Sequence, residues 1–422
     1  MVGPNPAERD LAEGKKEINF PVSRKDLFLG TYSVTEKLTR AERDSGLPNI
    51  IERIIAGDIP PEVKILELNR QGVSRKVEIE VTIDGTTFIY TIIGAGAFYF
   101  NQKENRYEWT PPDLNNDRQV YFRKLIENAR QTGVIITSSS RFPEASGGLA
   151  LPVYKHLITE MDERAKILEK VGLPGRIPDL VMYGPLKQAD QEIGGVLVYR
   201  QPKTETISAI LEKAGNAKTE DEAQKLRDIL LVLIKDRAHV AKALLDHQKP
   251  HFDGVHRHTT GLANFRACPD YQNPQQSISI TSGHGRCIVE NDSQPWSPAT
   301  KKEVAKLELV GLIAGWVGEI NKSRLDYVSK ILLIVEAIKI TLEEFTQKEL
   351  QNYTVAALKS DLHQFFFKND QSVMRNQDFE RVAFDPDIDN RKLMEKSHFK
   401  SEVGTLDPEL ADIVIEAVIE NI

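Results

Sequence analysis

The sequence predicts an α+β fold in which a β-rich N-terminal half precedes a helical C-terminal half. Residues 62–100 contain three runs of alternating, β-branched residues separated by the turn sequences NRQG and DG. Two more short strands are predicted at 179–186 and 193–202, and from residue 205 onward apolar residues recur mainly at helical spacing. These observations predict a bilobed protein with a small β-rich lobe, a larger helical lobe and a ligand cleft between them.

The division of the 422 residues follows the same change of period. We expect a flexible leader at 1–30, a β-rich lobe at 31–202, a helical lobe at 203–370 and a C-terminal extension at 371–422. Within these units the apolar spacing predicts helices at 36–57 with a break, 118–133, 150–171, 205–214, 219–248 and beyond 298. A hairpin is predicted from SISITS (277–282) and GRCIVEN (285–291) around Gly283-His284-Gly285.

The composition is that of an ordinary soluble protein, with 40% hydrophobic and 28% charged residues and a net charge of −7. The acidic balance disfavours non-specific nucleic-acid binding, which needs a basic face. The most apolar helical stretch, 327–342, contains Lys330, Glu336 and Lys339 and is too short to cross a membrane. Two cysteines fit a reducing compartment, so the sequence predicts a cytoplasmic protein without membrane partners.

Histidines are concentrated in one part of the chain. Six of the nine lie between 239 and 284, close to both cysteines, and supply possible zinc ligands: His239, His247, His251, His256, His258 and His284, with Cys268 and Cys287. No CxxC or HExxH spacing is present. A zinc-dependent hydrolase or nuclease is therefore one alternative, and a polar loop without a ligand is another.

The order of elements around HRHTTGLANF (256–265) is more informative. A long helix precedes this loop, a strand pair follows it, and an acidic residue ends the strand pair, which is how phosphoryl-transfer enzymes hold Mg²⁺ on an Asn and an Asp. The arrangement resembles the protein-kinase-like fold, in particular the atypical branch that includes selenoprotein O, whose relatives transfer AMP. The resemblance implies that Asn264 and either Asp292 or Glu290 ligate Mg²⁺ beside ATP.

The same resemblance assigns catalytic roles with one departure. His256-Arg257-His258 occupies the position of the family's His-Arg-Asp, so His258 replaces the catalytic Asp, and Asn264 lies one residue further along than usual. His258 could accept a proton from a hydroxyl because its ordinary pKa is near neutrality. Asp253 is the second candidate base, and Arg257 or His258 would contact the unidentified acceptor.

The nucleotide-binding residues are sought upstream. The helix LITEMDERAKILEKVGLP (157–174) resembles the one that supplies a Glu, either Glu160 or Glu163, to a nucleotide-pairing Lys, for which Lys155 is the candidate. Lys155 could equally be a solvated charge at the start of a helix. Gly94 and Gly96 in GAGAF (94–98) form either a phosphate cradle or a tight turn, and EASGG (144–148) is the alternative cover loop.

These features yield three hypotheses about function. The first is a nucleotide- and Mg²⁺-binding, kinase-like protein that transfers a phosphoryl or AMP group. The second is a pseudokinase that binds without transferring, because the catalytic Asp is replaced. The third is the zinc enzyme built on the histidine cluster.

Overall fold

The structure is a computed structural model. It describes residues 27–56, 61, 63–66, 74–101, 106–110, 135–136, 151–188, 190–247, 249, 265–281, 288–289, 298–345, 413 and 416–417. Within these residues strands dominate up to residue 206 and helices dominate after it, which confirms the predicted α+β class.

The elements alternate along the chain as the periodicity predicts. The strands are β1 (Leu27–Leu29), β2 (Ser33–Val34), β3 (Lys64–Ile65), β4 (Ser74–Ile83), β5 (Thr86–Asn101), β6 (Arg106–Thr110), β7 (Ile135–Ile136), β8 (Asp179–Gln188), β9 (Gln191–Gln201), β10 (Glu205–Thr206), β11 (Phe265–Cys268), β12 (Ile278–Thr281) and β13 (Ile288–Val289). The helices are α1 (Arg40–Asp44), α2 (Leu47–Ile55), α3 (Leu151–Lys170), α4 (Ile207–Gly215), α5 (Glu220–Asp246), α6 (Pro298–Lys322) and α7 (Tyr327–Phe345).

An antiparallel sheet forms the N-terminal half. Its strand order is β1-β8-β9-β5-β4-β3, with β2 beside β8 and β6 beside β5. The predicted DG turn joins β4 to β5, where Ile83 pairs with Thr86 and both Asp84 and Gly85 have positive φ, as a tight hairpin turn requires. In this order β9 lies between β5 and β8 and is hydrogen-bonded to both.

Helices cover both faces of the sheet. Tyr90, Ile92 and Val198 pack with α2, whose buried isoleucines include Ile51 and Ile55. The alternate residues of the same strands face the other way. These residues, Ile93, Leu197 and Tyr199, pack with α3 and α5. The sheet is therefore buried on both sides, and its second face looks toward the helical half.

The helical half has its own core. Helices α4 to α7 bury a continuous apolar cluster in which Trp316, Ile338 and Phe345 are among the most buried residues. The chain passes from the sheet into this half through residues 202–204, which separate β9 from β10. In the part of the chain that the structure describes, no helix is long and apolar enough to cross a membrane.

A small sheet, β10-β11-β12, stands where the two halves meet. It corrects the predicted hairpin, because β12 pairs with β11, with Phe265 opposite Thr281, and not with the strand after Gly285. That later strand, β13, pairs with β7 of the N-terminal half, with Ile288 opposite Ile136. The β11–β12 pairing joins consecutive strands, whereas the β13–β7 pairing joins segments about 150 residues apart, and the turn sequence around Gly283 indicated neither.

Candidate functional site

The loop that carries most candidate residues lies outside the described residues. This holds for Asp253, Arg257, His258 and Asn264, and also for Glu290 and Asp292. Their assignments stay predictions. The two flanks of the loop are described, at Lys249 and from Phe265 onward, and each makes a defined contact with the N-terminal half.

The first flank is held by a cluster of charges. The Lys249 ammonium lies 3.2 Å from Glu160 Oε2 and 3.0 Å from Glu163 Oε2 on α3. Glu160 is buried and also accepts a hydrogen bond from Arg164 Nε, one turn further along the helix, at 2.9 Å. A buried carboxylate needs such partners to remain charged. Lys249 therefore anchors the start of the loop to α3.

A second ion pair joins the C-terminal end of α3 to α5. Arg176, just beyond α3, donates from Nε at 3.1 Å and from Nη2 at 2.8 Å to Oδ1 of Asp236 on α5. The other oxygen of Asp236 accepts hydrogen bonds from the backbone N–H and the hydroxyl of Ser279 on β12. The two helices run antiparallel, because Glu160 on α3 contacts Lys249 after α5, whereas Arg176 after α3 contacts Asp236 further back on α5. Asp236 also attaches β12 to the helices through Ser279.

The second flank returns to the sheet. Arg266 on β11, two residues after Asn264, lies 3.5 Å from Oε1 of Glu78 on β4. Glu78 is the register partner of Thr91 on β5, on the face that looks toward the helical half. The Arg266–Glu78 pair therefore joins β11 to β4 at the position opposite the middle of β5.

The candidate cradle lies on that strand. Gly94 has φ 92° and Gly96 has φ 115°, values that a residue with a Cβ rarely adopts, and both are buried. The predicted tight turn is absent at this place, since β5 continues through both residues as a strand with a bulge. On one edge of β5 the register with β4 shifts at the bulge, from Lys76–Ile93 to Ser74–Phe98. On its other edge β5 pairs with β9 before the bulge, at residues 89–93, and with β6 after it, at residues 97–101.

The structure separates Lys155 from Glu160. They share α3, and five residues on a helix correspond to about 500°, so their side chains leave on different faces. Lys155 is exposed, whereas Glu160 is buried with Arg164 and Lys249. The sequence analysis missed Lys249 as the lysine that reaches Glu160. Its position two residues before His251 carries no local signal of this contact.

Lys76 is another residue that the sequence analysis missed. It is the register partner of Ile93, immediately before Gly94. A basic residue beside a bulge with two glycines of positive φ is a pattern that anion-binding loops use. Only the register of β4 against β5, which the sequence alone does not fix, brings the two together.

The described residues give no support for zinc. Among them no group of three or more His, Cys, Asp or Glu side chains is placed to hold a metal ion. His239 is exposed, and Nδ1 of His247 lies 2.9 Å from the carbonyl oxygen of Ala243. Burial, and secondarily the nearby Asp270 carboxylate, raises the pKa of the Cys268 thiol, which disfavours a thiolate. The other members of the cluster lie outside the described residues.

Comparisons with known proteins give structural matches alone. No family model and no curated protein matches the sequence. The kinase domain of maize sucrose-induced receptor kinase 1, bound to AMP-PNP, has 11% identity and a TM-score of 0.26, over 94% of this chain and 99% of that one. A glucosamine kinase has 11% identity and a TM-score of 0.24, over 86% and 92% of the two chains. Its complex with glucosamine, ADP and inorganic phosphate has 11% identity and a TM-score of 0.23, over 87% and 96%. TM-scores of this size do not establish a shared fold.

Proposed function

We propose that the protein binds a nucleotide with Mg²⁺ between the sheet and the helical half, and transfers its phosphoryl or AMP group to an acceptor. The observation that carries this proposal is the Arg266–Glu78 pair, because it ties the segment ending in Asn264 to the strand that bears Gly94 and Gly96. A strand advances about 3.3 Å per residue, so Gly94 lies about 10 Å along β5 from Thr91, the partner of Glu78. The pair therefore supports the proposal that these two predicted elements, far apart in sequence, share one region.

The roles follow from this arrangement. The backbone N–H groups of the bulge at Gly94 and Gly96 would bind phosphate oxygens, and Lys76 is the basic residue beside it by register. Asn264, with Asp292 or Glu290, would supply the oxygen ligands that Mg²⁺ prefers. The cation, when bound, neutralises phosphate charge. His258 or Asp253 would accept the proton of the acceptor hydroxyl, with Arg257 on the acceptor side.

Binding and transfer are tested separately. Thermal unfolding of the purified protein with ATP and Mg²⁺ should show a higher midpoint than with either alone, since a ligand of the native state stabilises it. Incubation with γ-labelled and α-labelled ATP in parallel then distinguishes phosphoryl transfer from AMP transfer. Self-labelling or labelling of added proteins from a cell extract is the readout.

Matched variants give each outcome a meaning. Asn264→Ala should abolish the Mg²⁺-dependent part of the thermal shift, whereas Asn273→Ala, in the turn between β11 and β12, should retain it. Binding without transfer of either label would identify a pseudokinase. A stoichiometric zinc content in the purified protein, with no shift by ATP, would favour the hydrolase. A protein that binds neither nucleotide nor metal would refute the proposal.

A further inference from the structure

Two buried polar side chains stand side by side on the face of the sheet that looks toward the helical half. Thr91 on β5 is 4% exposed and Gln201 on β9 is 8% exposed. Thr91 is paired with Tyr199, and Gln201 lies two residues further along β9, opposite Ile89. Diagonal neighbours of this kind are about 7–8 Å apart at Cα, so one small group can contact both side chains.

Each of these side chains has one buried polar atom without a partner among the described residues. Within the described residues, Oγ1 of Thr91 and Nε2 of Gln201 have no hydrogen-bond partner, although both atoms are shielded from solvent. Buried polar groups are nearly always paired, because leaving one unpaired destabilises the folded state. Two such groups on adjacent strands therefore indicate a position where another molecule supplies the missing bonds.

The surroundings define what that molecule offers. Glu78, the register partner of Thr91, is already paired with Arg266. The neighbours on β5 and β9 are apolar or aromatic: Ile89, Ile93, Leu197 and Tyr199. An amide N–H donor and a hydroxyl on an apolar face suit an uncharged, flat group with hydrogen-bond acceptors. They do not suit a phosphate, which needs cations.

We infer that Thr91 and Gln201 bind the base of the nucleotide, with Gln201 donating to an acceptor atom of the ring system. This inference rests on the proposed function and adds the residues that distinguish a base from phosphate alone. Along β5, Thr91 lies about 10 Å from Gly94, and Gln201, opposite Ile89, lies about 16 Å from it, on the side of the connection at 202–204.

The test compares ligands that share phosphates and differ in the base. Calorimetric titration with Mg²⁺–ATP, Mg²⁺–tripolyphosphate and adenosine gives the contribution of the base as the ratio of the first two affinities. Thr91→Val and Gln201→Met preserve side-chain volume and remove the polar atoms. Each should weaken Mg²⁺–ATP binding about three- to tenfold and leave Mg²⁺–tripolyphosphate binding unchanged.

Two controls lie on the same strands. Thr87→Val on β5 and Gln191→Met on β9 alter exposed side chains and should leave all three affinities unchanged. Without ligand, Thr91→Val and Gln201→Met should raise the melting temperature, because each removes a buried polar group that has no protein partner.

Each outcome has a defined meaning. Retention of the full preference for ATP over tripolyphosphate in both variants would overturn the inference and leave the proposed function standing. A lower melting temperature of both ligand-free variants would show that trapped water already satisfies these groups, which also overturns it. No binding of ATP or tripolyphosphate to the wild-type protein would refute the proposed function and the inference with it.

Discussion

Replacement of Glu42 by Gln tests how α1 is attached to the sheet. Glu42 is fully buried, yet its carboxylate is well provided with donors. Oε1 accepts from the Tyr90 hydroxyl at 2.7 Å, and Oε2 accepts from Arg200 Nη1 at 2.6 Å and from the backbone and side chain of Thr39, each at 2.7 Å. Arg200 also donates to Asp179 at 2.8 Å.

The expected loss follows from these bonds. In Glu42→Gln the remaining oxygen can keep Arg200 and Thr39, and the new amide can donate to the Tyr90 oxygen. Few bonds vanish, but the negative charge that they shared is lost. A hydrogen bond to a charged group contributes about 1.5–3 kcal/mol, against about 0.5–1.5 for a neutral one. Arg200 keeps Asp179 and is not left unpaired. We expect a loss of about 2–3 kcal/mol in the free energy of unfolding.

The pH dependence gives a second, independent signature. Burial by itself raises the pKa of Glu42, but hydrogen bonds from Thr39 and Tyr90 and the charge of Arg200 outweigh it, so the pKa lies below its ordinary value. A carboxyl with a depressed pKa stabilises the fold fully above the pKa of the unfolded chain, about 4.3, and loses that effect as the pH falls through the folded pKa. The gap between wild type and Glu42→Gln should therefore be constant from pH 7 to about pH 5 and shrink below that.

Urea unfolding followed by circular dichroism at pH 7 and at pH 3.5 measures both effects. Asp44→Asn is the matched control, because Asp44 lies on the same helix, is exposed and pairs at 3.4 Å with Arg40. Such a surface pair contributes at most about 1 kcal/mol. The reasoning fails if Glu42→Gln and Asp44→Asn are equally mild, or if the gap persists undiminished at pH 3.5.

Three further changes test the packing around α3. Gly195→Ala places a Cβ 2.7 Å from the Cβ of Tyr154 and closer still to its ring, so it should lower the free energy of unfolding by about 1–3 kcal/mol in urea; unchanged stability would show that the helix moves freely. Asp236→Asn leaves Arg176, whose side chain is 16% exposed, without a carboxylate partner and should lower the free energy of unfolding by about 1.5–3 kcal/mol. An unchanged melting temperature would contradict this expectation. Lys249→Met should reduce label transfer at least tenfold with a smaller effect on ATP affinity, and equal losses in both would contradict a positioning role through Glu160.

Local patterns were sufficient for the elements but not for their partners. The DG sequence predicted the β4–β5 hairpin correctly, because Asp84 and Gly85 adopt the positive φ that the turn requires and this preference is local. The hairpin expected around Gly283 is not formed between the described strands, because β12 pairs with β11 and β13 pairs with β7. Strand pairing of this kind depends on tertiary packing, here the hold of Asp236 on Ser279.

The charged residues show the same division. Thr39 and Glu42 have the spacing of a capping box, which the structure forms, so the start of α1 could be read from sequence. The burial of Glu42 against Tyr90 and Arg200 could not be predicted from the sequence, since these partners are 48 and 158 residues away. Sequence spacing reports contacts within one or two helical turns, and longer contacts have to be seen in the fold.

The identity of the nucleotide-pairing lysine can be narrowed by the same reasoning. Glu160, one of the two carboxylates expected to orient that lysine, is paired with Lys249 and Arg164 rather than with Lys155. Lys249 follows α5 and is held by Glu160 and Glu163 of α3, so its charge is already compensated within the protein. Lys76 is the register partner of Ile93, immediately before the glycine bulge. If phosphates bind at the bulge, the register therefore favours Lys76 over Lys155 as the residue that supplies positive charge.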